Sequence, residues 1–275
     1  MLYAVAIVFI VIFSLEAAAI IIGNMFTIFV FKTQSRLHLK RTYLLLINLA
    51  VADLLAGVGE VCVLVFLKIP RTDIRSLSVW WAVQVFGLFV SLMFLALISL
   101  ERVYAVFCPL RHRVTSIRAY IFSIAIVWVI GLCLTGLRLL TVYYTNVDPV
   151  YAVITADLFL FIALVIICVS YLSIRSRLYA AKANLQDGQR NSRRDQNMRL
   201  SKTFHIVVAL SLTFWLPAFL GYNIDAFCGQ CFSPTLLWFG NVLNLANSMV
   251  NPFVYSFRMK IFKDALKKCW KKRVD

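Results

Sequence analysis

The sequence is poor in charged residues, and this shortage excludes most soluble proteins. Asp, Glu, Lys and Arg make up only 15% of its 275 residues, whereas hydrophobic residues make up 62%. Soluble domains are typically about 25% charged and about 45–50% apolar. Disordered chains contain still fewer apolar residues. The composition therefore excludes disorder and is typical of a protein embedded in a membrane.

Acidic residues are especially scarce, because only 12 Asp and Glu accompany 28 Lys and Arg and leave a net charge of +16. The basic residues are clustered: 24 of the 28 lie in residues 32–41, 102–118, 175–202 and 258–273. Basic segments between membrane spans stay in the cytoplasm and attract anionic lipid. The charge therefore indicates membrane topology, and no nucleic-acid partner is needed to explain it.

Seven apolar stretches are long enough to cross a bilayer, which takes about 20 residues. They cover approximately residues 4–31, 41–67, 78–106, 119–142, 154–178, 201–226 and 234–257. With the basic segments inside, seven spans predict an extracellular N-terminus and a cytoplasmic C-terminus. The first stretch has no basic start or cleavage site, and we expect it to direct insertion itself. The prediction is an all-α membrane protein, a single seven-transmembrane helix bundle over residues 1–275.

The last stretch is followed by a segment of a different kind, at residues 258–271. Apolar and basic residues recur there at helical spacing, which predicts a short amphipathic helix in the membrane interface. Cys269 in this segment could be palmitoylated or remain an unmodified thiol. Cys228 and Cys231 lie together in the last predicted outer loop and could close a small disulfide-bonded ring. A zinc site there is not expected, because all three histidines are predicted on the other side of the membrane.

A charged side chain inside an apolar stretch costs about 2.5–3.5 kcal/mol on membrane-insertion scales. Each polar residue in these stretches is therefore a candidate site. One helix face just ahead of Pro252 carries Asn244, Asn247, Ser248 and Asn251. With Asp53 and Ser91 they could form a hydrated cage for a small monovalent cation. The alternative is hydrogen bonding between helices that serves packing alone. No nucleophile with a base and no set of metal ligands occurs, so we expect no enzymatic activity.

Each apolar stretch also carries a short motif of its own. In order these are Gly23-Asn24, NLAVADLLAG, SLERVYAVFCPLRHR, Trp128, Tyr171, FWLP and NPFVY. Seven such motifs in this order resemble the rhodopsin-like (class A) G protein-coupled receptors over the whole chain. The resemblance implies a plasma-membrane receptor in which an extracellular ligand activates a heterotrimeric G protein by outward movement of span six.

The resemblance also implies roles for individual residues. The side chains that match the family's allosteric sodium site are Asp53, Ser91, Asn247, Ser248 and Asn251. The residues that match the G-protein coupling and activation switch are Glu101, Arg102, Pro109, Leu110, Tyr171, Trp215, Pro217, Asn251, Pro252 and Tyr255. In the family the arginine inserts toward the G protein, and its acidic neighbour holds it in the inactive state.

Several family positions are occupied differently here. Leu77 replaces the cysteine of the usual outer disulfide, and Ala163 replaces the usual proline of span five. Asn197 stands where an acidic partner for the arginine is often found, with Asp195 nearby. A weakened lock and appreciable basal activity are therefore expected. The missing disulfide, the missing proline and the Cys-x-x-Cys resemble the branch that holds melanocortin, cannabinoid, lysophospholipid and adenosine receptors, melanocortin receptors nearest.

The ligand pocket is predicted from facing positions, with Trp215 as its floor. Its candidate residues are Glu60, Gln84, Val85, Leu88, Phe219, Tyr222 and Asn241. Gln84 replaces the aspartate that holds monoamines in aminergic receptors, and span seven has no lysine for retinal. Glu60, with Asp157 and Asp225, favours a ligand of positive character, whereas Arg138 favours an acidic one.

Two other functions remain as alternatives to signalling. A protein with this fold could act as a decoy or scaffold without activating a G protein. A transporter would need internal repeats or paired broken helices, and the sequence shows neither.

Overall fold

The computed structural model describes residues 2–33, 40–67, 74–143, 149–183, 192–228, 233–259 and 262–264. Eight helices occur in this part of the chain: α1 (Leu2–Thr33), α2 (Lys40–Leu67), α3 (Ile74–Phe107), α4 (Pro109–Val114), α5 (Ile117–Tyr143), α6 (Pro149–Ala183), α7 (Ser192–Cys228) and α8 (Pro234–Arg258). None of the described residues forms a strand. Each of the seven long helices contains one of the seven predicted stretches, and the six-residue α4 lies between α3 and α5.

Five segments of the described chain are long and apolar enough to cross a membrane: Val5–Thr33, Arg41–Leu67, Leu77–Phe107, Ile117–Leu140 and Asp157–Arg177. In α7 the apolar part Ala209–Ile224 is shorter. In α8 the asparagines that precede Pro252 interrupt the apolar sequence. Large apolar side chains such as Leu15, Ile22 and Phe122 point outward and are exposed. Such a surface is typical of helices that face lipid.

Helices α6 and α7 extend beyond the predicted spans. α6 continues to Ala183 and α7 begins at Ser192, whereas the apolar stretches predicted an end near residue 178 and a start near residue 201. The added turns are rich in Arg, Lys, Gln and Ala, which are good helix formers in water. Hydropathy marks where a helix leaves the bilayer, so it underestimated the length of these two helices.

The predicted interfacial helix at residues 258–271 is only partly described. The backbone N–H groups of Phe262 and Lys263 donate to the carbonyl of Met259, at 3.1 and 3.2 Å. The Phe262 side chain is buried against the rings of Phe26 and Phe31, at 5.9 and 5.2 Å between centroids. One helical turn therefore packs against α1. The rest of the predicted helix, with Cys269, lies outside the described residues.

Helix α3 lies at the centre of the bundle and packs most extensively against α2. Small residues allow this close approach. A Cβ atom added to Gly59 would lie 2.5 Å from the backbone nitrogen of Gln84. A Cβ atom added to Gly87 would collide with the backbone of Ala52 and Ala56. The backbones of α2 and α3 therefore touch, and side chains that flank these glycines meet across the interface.

Trp128 fixes α5 against this central pair of helices. Its indole N–H donates to the side-chain oxygen of Asn48 on α2, at 3.0 Å. Its ring packs against Phe86 and Phe94 on α3, with centroids 5.7 and 5.8 Å apart. An indole suits this position because its large apolar surface is buried while its single donor finds a partner.

Candidate functional site

A cavity of about 620 Å³ opens among the long helices at the end of the bundle remote from Arg102. All the predicted pocket residues line it: Glu60, Gln84, Val85, Leu88, Trp215, Phe219, Tyr222 and Asn241. The volume lies in the range of small-molecule sites, about 300–1,000 Å³. Phe9, Ile10 and Phe13 of α1 and Trp238 of α8 also line the cavity. Sequence reasoning missed these four, because their apolar side chains look like any lipid-facing residue.

Glu60 and Gln84 form a short polar contact in the cavity wall. The amide nitrogen of Gln84 donates to the Glu60 carboxylate at 2.5 Å. Both side chains are buried. The contact between Gly59 and the Gln84 backbone holds α2 and α3 close enough for this bond to form. The close helix packing therefore places a carboxylate at the cavity surface.

Arg138 is a basic residue of the cavity wall, and other residues of the wall interact with its positive charge. Its guanidinium lies over the ring of Trp81, 5.1 Å from the centroid, which is within the range of a cation–π contact. It also interacts electrostatically with Asp157 and Tyr222. The side chain of Asp225 lies outside the described residues.

Below the cavity, Asp53 lies fully buried at the centre of the predicted cation cage. Ser91 donates to one carboxylate oxygen at 2.6 Å, and the Asn251 amide donates to the other at 2.8 Å. Ser248 lies beside Asp53, and its hydroxyl makes no hydrogen bond of normal geometry with a described residue. Asn247 is buried on the same helix face, but no hydrogen bond joins it to Asp53. The structure thus brings four of the five predicted residues into one cluster.

At the opposite end of α3, Glu101 and Arg102 form a buried ion pair. Arg102 also donates to the Thr42 hydroxyl at 2.6 Å, and Thr42 donates to Glu101 at 3.2 Å. The side chains of Asp195 and Asn197, the expected partners on α7, lie outside the described residues. The arginine is therefore held by its acidic neighbour and by α2.

Two further residues hold Glu101, and sequence reasoning missed both. His112 of α4 contacts a Glu101 oxygen at 2.8 Å. Tyr120 of α5 lies 3.2 Å from the His112 ring nitrogen and 3.4 Å from Glu101. Arg41 of α2 donates to the backbone carbonyl of His112 at 2.8 Å, which fixes the end of α4. Nothing in the spacing of these residues predicted the network, since it joins four helices, α2, α3, α4 and α5.

The chain matches the family described as "7 transmembrane receptor (rhodopsin family)" over residues 23–255. It belongs to the rhodopsin family of seven-transmembrane receptors. The match covers most of the chain and includes all seven motifs. The seven-helix bundle is therefore a multi-pass membrane protein, and it is a G protein-coupled receptor and not an enzyme.

Individual relatives of this receptor have different ligands in their names. It is 28% identical to the lysophosphatidic acid receptor 1-B of Xenopus laevis over 262 residues, which are 88% of this chain and 69% of the relative. It is 26% identical to the adenosine receptor A3 of Ovis aries over 269 residues, 89% and 83% of the two chains. It is 24% identical to the octopamine receptor beta-1R of Drosophila melanogaster over an alignment of 309 positions, which covers 92% of this chain and 59% of the relative. Two of these three belong to the branch expected from the sequence, and the octopamine receptor does not.

The predicted switch residues of the receptor lie on separate helices. Trp215 is buried at the cavity floor, with its ring 6.1 Å from that of Phe89. Tyr255 is buried, with its ring centroid 6.2 Å from that of Phe31. On α6, the Tyr171 hydroxyl accepts a hydrogen bond from Arg175 at 3.2 Å. The structure therefore does not bring the two tyrosines into contact.

The remaining predicted positions lie near the ends of helices or at the two prolines. Pro109 begins α4, and Leu110 on the same helix is 77% exposed. Pro217 lies inside α7, and Pro252 is buried inside α8. Cys228 is exposed and disulfide-bonded. Its predicted partner Cys231 lies outside the described residues, so that pairing stays a prediction.

Proposed function

We propose that the receptor binds its extracellular ligand in the 620 Å³ cavity and activates a heterotrimeric G protein at the Arg102 end of the bundle. The position of both sites on α3 carries this proposal. Gln84 lines the cavity, and Arg102 lies 18 residues further along the same helix, which corresponds to roughly 27 Å. Ser91 and the buried cluster around Asp53 lie between them. A single rigid helix thus joins the ligand site to the coupling site.

The proposed orientation places the Arg102 end in the cytoplasm of cells that carry the receptor in the plasma membrane. Arg41, Arg111 and Arg113 lie at this same end, on α2 and α4. Basic residues are retained on the cytoplasmic side of membranes. The N-terminus is then extracellular and the C-terminus cytoplasmic, and the exposed Leu110 is available for docking the G protein.

A sodium ion is the proposed allosteric ligand of the Asp53 cluster. The residues fit this ion, because a hard monovalent cation prefers carboxylate and neutral oxygen ligands. The buried Asp53 carboxylate forms no ion pair with a described residue. The Ser248 hydroxyl lies beside Asp53, and it and the Asn251 side-chain oxygen are buried without a hydrogen bond of normal geometry to a described residue. Asp53, Ser91, Ser248, Asn251 and Asn247 would hold the ion, and it would stabilise the inactive packing.

Activation is proposed to be a population shift between two packings of the bundle. A ligand favours one packing only to the extent that it binds that packing more tightly. Pro217 lacks a backbone N–H and weakens α7 at the level of the cavity floor, so α7 is the helix expected to swing outward. Arg102 would then leave Glu101 and Thr42 and face the G protein. Tyr171 and Tyr255 would move toward each other and stabilise the open form.

Basal G-protein activation tests this function without a known ligand. Wild type and Arg102→Ala would be compared in cells at matched surface levels, with all G-protein families sampled. We expect a basal signal in wild type that Arg102→Ala abolishes, because the arginine reaches the G protein. Arg118→Ala serves as the control, since it removes an exposed basic residue at the same end of the bundle. An equal signal in Arg102→Ala and wild type would refute the assignment.

A further inference from the structure

Two glutamates that the proposed mechanism does not use face each other across α1 and α2. Glu60 lines the cavity and is 4% exposed, and Glu16 lies just outside the lining and is 7% exposed. The two carboxylates interact electrostatically. One oxygen of Glu60 accepts the hydrogen bond from Gln84, whereas one oxygen of Glu16 is buried without any hydrogen-bond partner.

No basic side chain in the described part of the receptor forms an ion pair with Glu16 or Glu60. Arg102 and His112 form their ion pairs with Glu101, at the opposite end of the bundle. The basic residue of the cavity wall, Arg138, lies on α5 and interacts with Asp157 and Trp81. Glu16 and Glu60 are therefore left as the acidic side of the cavity.

Two carboxylates in an apolar environment repel each other, and each loses the hydration that stabilises its charge. A bound cation would offset both costs. Ca²⁺ and Mg²⁺ do not fit, because these hard cations take about six to eight oxygen ligands. In addition, no cluster of three or more metal-binding side chains occurs in the residues that the structure describes.

The rest of the cavity indicates what kind of cation fits. Its wall is largely apolar and includes Phe13, Val85, Leu88 and Phe89, with Trp215 at the floor. The side-chain oxygen of Asn244, which also lines the cavity, has no hydrogen-bond partner. Such a surface suits a ligand with an apolar body and a charged end that donates hydrogen bonds.

We propose that Glu60, supported by Glu16, is the subsite for the ammonium group of an amphiphilic organic amine. The ammonium donates to the Glu60 carboxylate, and the apolar body of the ligand lies against the aromatic and aliphatic wall. Glu16 is a positioning residue, because its carboxyl group interacts with that of Glu60 without lining the cavity. This inference rests on the proposed function, since it names the chemistry of the ligand that the cavity binds.

Thermal stabilisation of the purified receptor by a probe pair tests the subsite. The probes are 4-phenylbutylamine and its uncharged analogue 4-phenylbutan-1-ol, titrated at neutral pH and constant ionic strength. A ligand that binds the folded state raises the melting temperature with concentration. We expect the amine to raise it at concentrations where the alcohol has no comparable effect.

Variants then locate the charge that binds the amine. Glu60→Gln is expected to weaken amine binding at least tenfold, which corresponds to about 1.4 kcal/mol, and Glu16→Gln to weaken it less. Asp264→Asn is the matched control, because it removes a carboxylate that lies beyond the end of α8, outside the cavity lining. Its amine affinity should stay within about threefold of wild type, a change of roughly 0.65 kcal/mol. Both glutamine variants should melt without probe at or above the wild-type temperature, because they relieve repulsion.

The outcomes separate this inference from the proposed function. Equal stabilisation by amine and alcohol, or undiminished amine binding to Glu60→Gln, would overturn the cation subsite. If Glu60→Gln does not fold, Glu16→Gln carries the test, since unchanged amine affinity in that variant would overturn the paired site. The binding assay contains no G protein, so failure of basal signalling would refute the proposed function and leave amine binding intact.

Discussion

Replacing Gly59 by alanine measures how tightly α2 packs against α3 beside the ligand cavity. The new Cβ atom would lie 2.5 Å from the Gln84 nitrogen and 2.7 Å from the Gln84 Cα. Ordinary van der Waals contact begins near 3.4 Å, so the two backbones would have to separate by roughly 0.9 Å. Both contacting atoms are backbone, which cannot rotate away as a flexible side chain can.

The expected cost can be separated from the helix propensity of alanine. Overpacking of a well-packed interface costs about 1–3 kcal/mol, whereas alanine gains about 1 kcal/mol over glycine within a helix. Gly136→Ala makes the same chemical change on α5, where the added Cβ would meet nothing within 4 Å. We therefore expect Gly59→Ala to be less stable than Gly136→Ala by about 1–3 kcal/mol.

Melting of the purified receptor variants measures this difference. Gly59→Ala should melt at least about 2 °C below Gly136→Ala. Separation of the helices would also stretch the 2.5 Å hydrogen bond between Gln84 and Glu60. Amine binding should therefore weaken in Gly59→Ala and not in Gly136→Ala. Equal melting temperatures for the two alanine variants would refute the backbone contact and the argument that it positions Glu60.

Three further predictions concern other contacts. Asp53→Asn should abolish the stabilisation of the receptor by sodium chloride relative to choline chloride, and sodium sensitivity that persists would contradict the cation cage. His112→Phe removes a contact of 2.8 Å to Glu101. Loss of roughly 0.5–1.5 kcal/mol should raise basal G-protein activation about 2–10-fold. Unchanged activation at matched surface levels would show that the contact does not restrain the switch. Trp128→Phe removes the donor to Asn48 and should lower stability by about 0.5–1.5 kcal/mol without changing the G protein that is activated. A melting temperature equal to wild type would show that this bond contributes nothing.

The sequence identified residues that the structure brings together where they follow a single helix or a family motif. The four polar residues ahead of Pro252 share one face of α8, and the pocket residues were placed by their facing positions on individual helices. The His112 and Tyr120 contacts to Glu101 were not predictable in this way. They depend on how α4 lies against α3 and α5, and no local pattern encodes that arrangement.

The sequence by itself determined the helical spans and their order. The bilayer interior offers no water to backbone N–H and C=O groups, so an apolar stretch must satisfy them within its own helix. The composition of about 20 consecutive residues is therefore sufficient to predict a membrane-spanning helix. It did not determine the full length of α6 and α7, because their polar ends lie outside the apolar stretches that mark the bilayer.

Only the tertiary structure decided which buried polar groups meet. Gln84 and Glu60 are 24 residues apart, and they form a bond because Gly59 lets α2 and α3 touch. The rotation of each helix about its axis and the distance between helices select the partners of each buried charge. Small residues set both quantities through contacts between segments distant in the chain. The sequence therefore identified the polar residues, while packing determined that Glu16 and Glu60 face each other beside the cavity.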